Sequence, residues 1–325
     1  MKILKRCVKH FIKTFLPVIC IFVLFLALDY LYKKVQSGQN VSPSGLPQIT
    51  ASPEPTQTPE LFESDGILRV TFLDVGNADC SIIEYPDGKV MMIDAGNNDD
   101  GDDIVSYLRS RNILRIDYLI GTHPHEDHIG GLDRVIDEFD VGTLYMPRIP
   151  NNYVPSTKTY NSVLKSVQNK GLKITSPSSG DSVCEDCEVD AIFLNQPDEN
   201  LAKDNMNEYS LVLKLTYGYT SFLFTGDAEK DNEYSILNEY GDYVASDVLK
   251  VGHHGSSTSS TQEWLDAVSP RIVLIPCGEN NDYGHPHDKV IKRLEALGAK
   301  IYRSDKNGTV VMESDGNEIR VNCEK

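Results

Sequence analysis

Positive charge is scarce in most of this chain of 325 residues, whose formal net charge at pH 7 is −17. The first 35 residues hold seven lysines and arginines and one aspartate, so the rest of the chain carries −23. Phosphate neutralisation by Lys and Arg supplies most of the nonspecific affinity for nucleic acid, and an acidic body repels polyanions. We therefore expect no tight nonspecific binding of nucleic acid.

Long apolar runs are equally scarce, because only residues 15–28 form one. This run is short for a spanning helix of about 20 residues, although Tyr30, Leu31 and Tyr32 extend it. One run excludes a multi-helix channel built by this chain alone. More basic residues precede the run than follow it, so residues 1–36 predict a single-pass anchor with a cytoplasmic amino terminus and an extracytoplasmic body. The alternative is a cleaved signal peptide and a secreted body, although no small-x-small cleavage site follows closely.

A linker and one domain are predicted after this segment. Residues 37–65 are rich in Pro, Ser and Thr and contain few large apolar residues. Such a segment buries too little surface to offset its ordering entropy, so it predicts an extended tether. Residues 66–325 alternate apolar strands with helical patterns and are predicted to form one domain. The Pro- and Asn-rich stretch 141–155 is predicted to be a loop near a site mouth.

The chain has too few paired cysteines to build a structural zinc site. Cys184-x-x-Cys187 is a single pair, whereas such a site needs a second pair of ligands. In an exported domain a local disulfide is expected, or a disulfide from this pair to Cys323.

Histidine is rare, with 8 residues in the chain, and its distribution is uneven. Three of the eight lie in the pattern His-x-His-x-Asp-His between His123 and His128. An apolar strand over residues 116–120 precedes the pattern, and an amphipathic helix follows Gly130 and Gly131. The pattern therefore lies at the carboxyl end of a strand, where open α/β sheets place their sites. Imidazole with carboxylate suits zinc, manganese or iron.

The second half of the chain supplies further donors after its own predicted strands. Asp227 ends one strand, and four histidines follow others; clustering of this kind at loop positions is hard to explain by packing. Asp94 also ends a strand in the first half, where its local sequence is equally typical of a turn aspartate. The four histidines are His253, His254, His285 and His287.

Six ordered motifs resemble the metallo-β-lactamase fold hydrolases. The resemblance is strongest to the carboxy-terminal hydrolase domain of the ComEC/Rec2 competence proteins and their free-standing relatives. It covers nearly all of the chain after about Ile67. The motifs are Leu73–Cys80, Met92–Gly96, His123–Gly131, Phe224–Glu229, Leu249–Ser256 and Tyr283–His287.

The resemblance implies an α/β (α+β) fold, an αββα four-layer sandwich, with one or two zinc ions in an edge cleft and manganese as an alternative. Asp127 is expected to hold the attacking water while binding metal, and Asp227 is expected to bridge two ions. His254 or His285, whichever is not a ligand, is expected to protonate the leaving group. The predicted ligands are His123, His125, Asp127, His128, Asp227 and His253, where His253 is expected to complete the second ion and His254 and His285 are its competitors. Residues expected to support the ligands or contact substrate are Asp94, Asp74, Ser256 and His287.

One departure from the family concerns the first ion. Many members place a further histidine between the second and fourth motifs, whereas this chain has none between His128 and His253. The first ion is then expected to be held by His123, His125 and Asp227 alone, to bind more weakly, or to be a metal other than zinc. The competence-protein branch shows a similar gap.

The expected chemistry is hydrolysis by a metal-activated water. The resemblance to a nuclease-like branch of the family implies a phosphodiester as the first choice of substrate. Lys250 and Arg303, near strand ends, are candidates for attracting a phosphate. The enzymatic alternatives are a cell-envelope phosphoester, such as phosphocholine on teichoic acid, and another ester or a β-lactam. From a different class, the body could be a metal-binding envelope interaction module without catalysis.

Overall fold

The computed structural model describes residues 66–184, 187–195, 197 and 203–325. The predicted membrane segment and linker lie outside these residues. Within the described part of the chain, no helix combines the length and apolar character needed to cross a bilayer.

The elements of the first half follow the predicted β-β-β-α-β order. The bounds are β1 (Leu68–Phe72), β2 (Ser81–Glu84), β3 (Val90–Ile93), α1 (Gly101–Ser110), β4 (Arg115–Ile120), α2 (Glu126–Ile129), α3 (Leu132–Glu138), β5 (Asp140–Tyr145), α4 (Lys158–Lys170) and β6 (Ile174–Thr175).

The second half again alternates strands with helices and adds three short 3-10 turns. The bounds are β7 (Asp190–Phe193), a turn at Met206–Tyr209, β8 (Leu213–Tyr217), β9 (Thr220–Phe224), α5 (Lys230–Tyr240), a turn at Gly241–Val244, β10 (Val248–Lys250), a turn at Gly252–Gly255, α6 (Gln262–Val268), β11 (Ile272–Ile275), α7 (Asp288–Ala296), β12 (Lys300–Arg303), α8 (Ser304–Asn307), β13 (Val310–Ser314) and β14 (Ile319–Cys323).

Two sheets organise these elements. The first has the order β14-β13-β1-β2-β3-β4-β5-β6, and the second has the order β12-β11-β10-β9-β8-β7. Each sheet is antiparallel in one part and parallel in the other, where helices connect the strands. The prediction of a mixed α/β fold is therefore confirmed, with two sheets.

Three apolar cores separate the layers. Side chains from both sheets fill the first core, where Phe72 of β1 stacks on Phe224 of β9 with 5.8 Å between ring centroids. The second core joins the other face of the first sheet to α1, α3 and α4, and the third joins the second sheet to α5, α6 and α7. Helices thus cover the outer face of each sheet, because every strand that is buried on both faces needs a second apolar partner.

The expectation of a loop over residues 141–155 is wrong in its first part. Residues Asp140–Tyr145 form β5, which pairs in parallel with β4. Gly142 interrupts the strand pattern in the sequence. The packing requires a glycine at this position, because a Cβ atom there would lie 2.5 Å from the Asp117 carbonyl oxygen. The short strands β7 and β14 were also not predicted.

The cysteine pair forms the local disulfide that was one of the two predicted pairings. Cys184 and Cys187 are bonded to each other in the loop before β7. Cys323 is a free and exposed thiol.

A buried carboxylate joins two helices of the second sheet. Glu233 in α5 is 2% exposed, and its oxygens accept hydrogen bonds from the backbone N–H groups of Ser260 and Thr261 just before α6. Burial raises the pKa of Glu233 from 4.5 to about 7, and the hydrogen bonds only partly oppose this. The folded protein therefore holds the Glu233 proton more tightly than the unfolded chain does.

We expect Glu233→Gln to flatten the pH dependence of stability. The pKa of Glu233 is higher in the folded protein than in the unfolded chain. Its protonated form therefore contributes stability that is complete below pH 4.5 and is lost as the pH rises to about 7. The unfolding free energy of the wild type relative to the variant should thus fall by as much as about 3 kcal/mol over this range. Urea unfolding at about pH 5 and pH 8 measures this difference, with the exposed Glu295→Gln as control. Parallel pH dependences for wild type and Glu233→Gln would contradict it.

Candidate active site

The predicted donors converge because they all follow parallel strands. Asp94 follows β3, the histidine motif follows β4, Asp227 follows β9, and the His253-His254 pair follows β10. The carboxyl ends of these strands lie at one edge of the two sheets. A cleft of about 310 Å³ opens there, lined by Asn77, His125, Glu126, Asp127, Asp227, His253, His254, Tyr283 and His285.

Asp94 orients the histidine motif. Its carboxylate accepts hydrogen bonds from the backbone N–H and the hydroxyl of Thr122, and it lies 2.7 Å from Nδ1 of His128. The residue has a φ angle of 60°, in the left-handed region, where an aspartate is tolerated better than most side chains. This partner fixes a proton on Nδ1 of His128 and leaves Nε2 free to bind a metal.

Two glycines let the Asp94 loop lie directly against the motif. The Ala95 N–H donates to the His128 carbonyl, and the Gly131 N–H donates back to the Ala95 carbonyl. A Cβ atom on Gly130 would lie 2.1 Å from the Asn97 carbonyl carbon, and one on Gly131 would lie 2.5 Å from the Ala95 oxygen. The Gly-Gly pair after the motif is therefore required for the contact that holds His128.

One group of donors has the geometry of a metal site. Ligand atoms of Asp127, His128, Asp227 and His254 all lie within 4.8 Å of one another. Nε2 of His128, Nε2 of His254 and Oδ1 of Asp227 are buried and make no hydrogen bond of good geometry among the described residues, although Nε2 of His128 lies 3.1 Å from Oδ1 of Asp227 and Nε2 of His254 lies 3.3 Å from Oδ2 of Asp127. Orphaned imidazole and carboxylate atoms that face a common point are costly unless a cation joins them, so these residues fit a divalent metal ion. We call this group the second donor set.

Of the remaining motif histidines, His123 faces the other oxygen of Asp227, and His125 contacts His123. Nε2 of His123 lies 3.9 Å from Oδ2 of Asp227 and 3.0 Å from Nδ1 of His125. His123 is fully buried, whereas His125 lies at the exposed mouth of the cleft. His253 also directs Nε2 toward Oδ2 of Asp227, at 3.7 Å. We call His123, His125 and Oδ2 of Asp227 the first donor set.

Charge within the cluster is balanced between carboxylates and imidazoles. Burial lowers the pKa of His128 and His254, but Asp227 and the neighbouring carboxylates outweigh it and hold both pKa values above the ordinary value. Burial raises the pKa of Asp227, yet His128 and His254 bring it well below the usual range. Without a metal ion, protons on these two imidazoles therefore compensate the buried carboxylate.

His285 differs from the buried histidines. Its ring lies 5.4 Å from the ring of His253 and stacks on Tyr283, which is 70% exposed at the cleft mouth. Burial, and then the charge of His253, lowers the pKa of His285 to about 4. At neutral pH His285 is therefore better suited to accept a proton than to supply one.

A buried ion pair lies behind the donors and was not predicted. Lys250 and Asp79 are 3% and 4% exposed and form an ion pair, and Lys250 also donates to the Gly226 carbonyl. Asp79 additionally lies 3.5 Å from Nδ1 of His254. Both residues belong to motifs recognised in the sequence, but nothing in their local sequence shows that they meet.

Several predicted residues lie outside the donor cluster. Asp74 accepts a hydrogen bond from the Gly76 N–H and pairs with Lys325. Ser256 contacts the Thr258 hydroxyl, and Nδ1 of His287 accepts from the Ser257 N–H. These contacts support the loops around the cleft.

The comparison with protein families agrees with this geometry. The model of the metallo-beta-lactamase superfamily matches residues 73–279. The chain belongs to this superfamily. It is a metal-dependent hydrolase of the metallo-β-lactamase fold, and the family together with the donor set implies a divalent metal ion.

The curated relatives confirm the resemblance to competence proteins. ComE operon protein 3 of Bacillus subtilis is 33% identical over 208 residues, which cover 64% of this chain and 26% of the relative. Recombination protein 2 of Haemophilus influenzae is 29% identical over 249 residues, which cover 74% of this chain and 28% of the relative. The chain thus spans about a quarter of the length of these relatives. Among solved structures, the metallo-beta-lactamase fold protein YhfI of Bacillus subtilis is 11% identical, with a TM-score of 0.47 over 76% of this chain and 99% of YhfI.

We expect Asp227→Ala to lose more metal than His285→Ala. The two oxygens of Asp227 face the two donor sets, so its removal should weaken both sites by more than the roughly 10–100-fold caused by loss of an outer partner. His285→Ala should keep both ions. Metal content after gel filtration and turnover on a chromogenic ester measure the difference. Metal content and turnover that match the wild type in Asp227→Ala would remove this residue from the site.

Proposed function

We propose that the protein is an exported, membrane-tethered hydrolase that uses two ions, zinc or alternatively manganese, to cleave phosphodiester bonds. The observation that carries this proposal is the position of Asp227, whose Oδ1 lies 3.1 Å from Nε2 of His128 while Oδ2 faces Nε2 of His123. One carboxylate placed in this way can serve two neighbouring ions. Two ions suit phosphoryl transfer because they can hold the attacking and leaving oxygens together.

The protein side chains in the cleft would orient the attacking water and contact the substrate. When bound, the ions lower the pKa of a water molecule and polarise the scissile group. Asp127 lies at the cleft with Oδ2 3.3 Å from Nε2 of His254, so one of its oxygens can bind metal while the other orients the attacking water. His285 and Asn77 line the same cleft and are placed to contact the substrate.

The charge of the protein favours a small substrate over a long polyanion. Lys250 is buried against Asp79, and Arg303 pairs with Asp305 through Nε and one terminal nitrogen of its guanidinium group. Neither cation is presented to a phosphate at the cleft. Among the described residues, no lysine or arginine lines the cleft, so bound metal ions would supply the positive field there, within a body of charge −23.

We expect a small diester to be hydrolysed faster than duplex DNA. The test uses the full chain with Zn²⁺ or Mn²⁺ at about 0.15 M salt, where the Debye length is about 8 Å. The substrates are bis-(p-nitrophenyl) phosphate, a single-stranded oligonucleotide and plasmid at equal phosphate concentration, with a phosphomonoester and nitrocefin for the other ester and lactam classes. Chelated protein, and the same protein with metal restored, are the controls.

Each of the other possible results of this substrate comparison would indicate a different activity. Plasmid degraded fastest would indicate an exported nuclease and overturn the small-substrate proposal. Hydrolysis of nitrocefin alone would place the activity among lactamases. Metal content without turnover on any substrate would favour a metal-binding interaction module.

Two observations support export. Residues 15–28 are apolar, with more basic residues before them than after them. Cys184 and Cys187 form a disulfide, and disulfides persist in oxidising compartments outside the cytoplasm.

We expect protease added to intact cells to release the body from the membrane. The cut should fall within residues 37–65, because the composition of that segment predicts an extended chain that a protease can bind. Immunoblotting of the released and membrane fractions detects the body, with a cytoplasmic protein as the control for lysis. A body protected until the membrane is permeabilised would reverse the proposed orientation.

A further inference from the structure

The first donor set has an incomplete ligand shell. His123, His125 and Oδ2 of Asp227 supply three donors, and no histidine occurs in the sequence between His128 and His253. The imidazole from the second half that faces Oδ2 of Asp227 is that of His253, whose Nε2 lies 3.7 Å from this oxygen. His254, the next residue, directs its Nε2 to the other side, 3.6 Å from Oδ1 of Asp227 and 3.3 Å from Oδ2 of Asp127.

An unusual backbone separates the two imidazoles. His253 and His254 have φ angles of 49° and 51°, in the left-handed region that side chains other than glycine rarely adopt. Strain at two successive residues persists only where the surrounding contacts maintain it, and it is concentrated at functional sites. Here the left-handed backbone lets the neighbouring side chains of His253 and His254 face opposite oxygens of the Asp227 carboxylate.

A hydrogen-bonded clamp fixes the ring of His253. Nδ1 of His253 lies 3.2 Å from Oε1 of Glu229 and 3.2 Å from the Thr258 hydroxyl. Glu229 also accepts hydrogen bonds from the side-chain amides of Asn205 and Asn207. With these donors around it, the Glu229 carboxylate is placed to accept a hydrogen bond from an Nδ1–H of His253.

The same arrangement recurs at the histidines already placed in the second donor set. Nδ1 of His128 faces the carboxylate of Asp94, and Nδ1 of His254 faces the Pro276 carbonyl at 3.0 Å. In each case an acceptor holds the proton on Nδ1 and leaves the Nε2 lone pair directed toward Asp227. A metal-bound histidine normally has such an acceptor on its other nitrogen.

We propose that His253 completes the first donor set in place of the missing histidine, and that Glu229, held by Asn207, is the positioning residue that fixes its tautomer and ring orientation. The segment Met206–Tyr209 therefore contributes to the metal centre indirectly, by supplying an amide to Glu229. This inference depends on the metal centre and not on the choice of substrate.

Metal binding by single and double variants of the full chain tests the proposal. Zn²⁺ stoichiometry and Co²⁺ titration followed by visible absorption are measured without substrate. Two ions are expected in the wild type, and His253→Ala and His254→Ala should each lose one. The pair His123→Ala/His253→Ala should retain one ion because both residues serve the same site, whereas His253→Ala/His254→Ala should retain none at micromolar metal.

The affinity and absorption of bound Co²⁺ test the positioning role of Glu229 separately. Glu229→Gln should weaken one of the two Co²⁺ sites by roughly 10–100-fold and change its absorption band, leaving the other site unchanged. The exposed Glu263→Gln is the matched control. The melting temperature of the metal-free variants separates this effect from loss of folding, since a purely structural role would lower that temperature and leave relative metal affinities intact.

Three results would overturn the proposal. These are a wild-type stoichiometry of one ion, two ions still bound by His253→Ala, or one ion retained at wild-type affinity by His253→Ala/His254→Ala. A chain that binds two ions in the expected pattern but cleaves no diester would defeat the proposed substrate and leave this assignment standing.

Discussion

The buried charge of Asp227 is the constraint on which the site depends. Its carboxylate lies where strand ends of the two sheets meet, and its neighbours are imidazoles from both halves of the chain. A lone carboxylate in such a place would be strongly destabilising. The imidazoles of His128 and His254 compensate it by holding protons, and these are the protons that a metal ion must displace. Metal affinity and proton affinity are therefore two measures of the same electrostatic balance.

The donor-rich motifs and the main elements could be predicted because each rests on local sequence. Metal ligands must be particular residue types, and the motif from His123 to His128 follows an apolar strand that is visible by its composition. The alternation of strands and helices follows the periods of apolar residues. β5 was missed because Gly142, at a position that no side chain can occupy, interrupts its run of strand-forming residues.

Contacts made through space could not be predicted in the same way. Asp79 and Lys250 lie in different halves of the chain and form an ion pair only because the sheets pack together, so neither motif shows its partner. The directions of His253 and His254 depend on left-handed backbone angles that histidine rarely adopts. Glu229 and the Asn207 amide were overlooked for a related reason. An acid after a strand and an asparagine in a loop are common in protein sequences, and only the structure shows that these two fix the ring of His253.

The pairing of β1 has a consequence for the order in which the protein can be made. One edge of β1 pairs with β2 a few residues later, but its other edge pairs with β13, where Phe72 lies opposite Val310. During synthesis that edge stays open until nearly the whole chain has emerged, and an open strand edge is a template for pairing with other chains. A ribosome that stops before β13 therefore releases a product with a complete histidine motif and an unprotected edge strand.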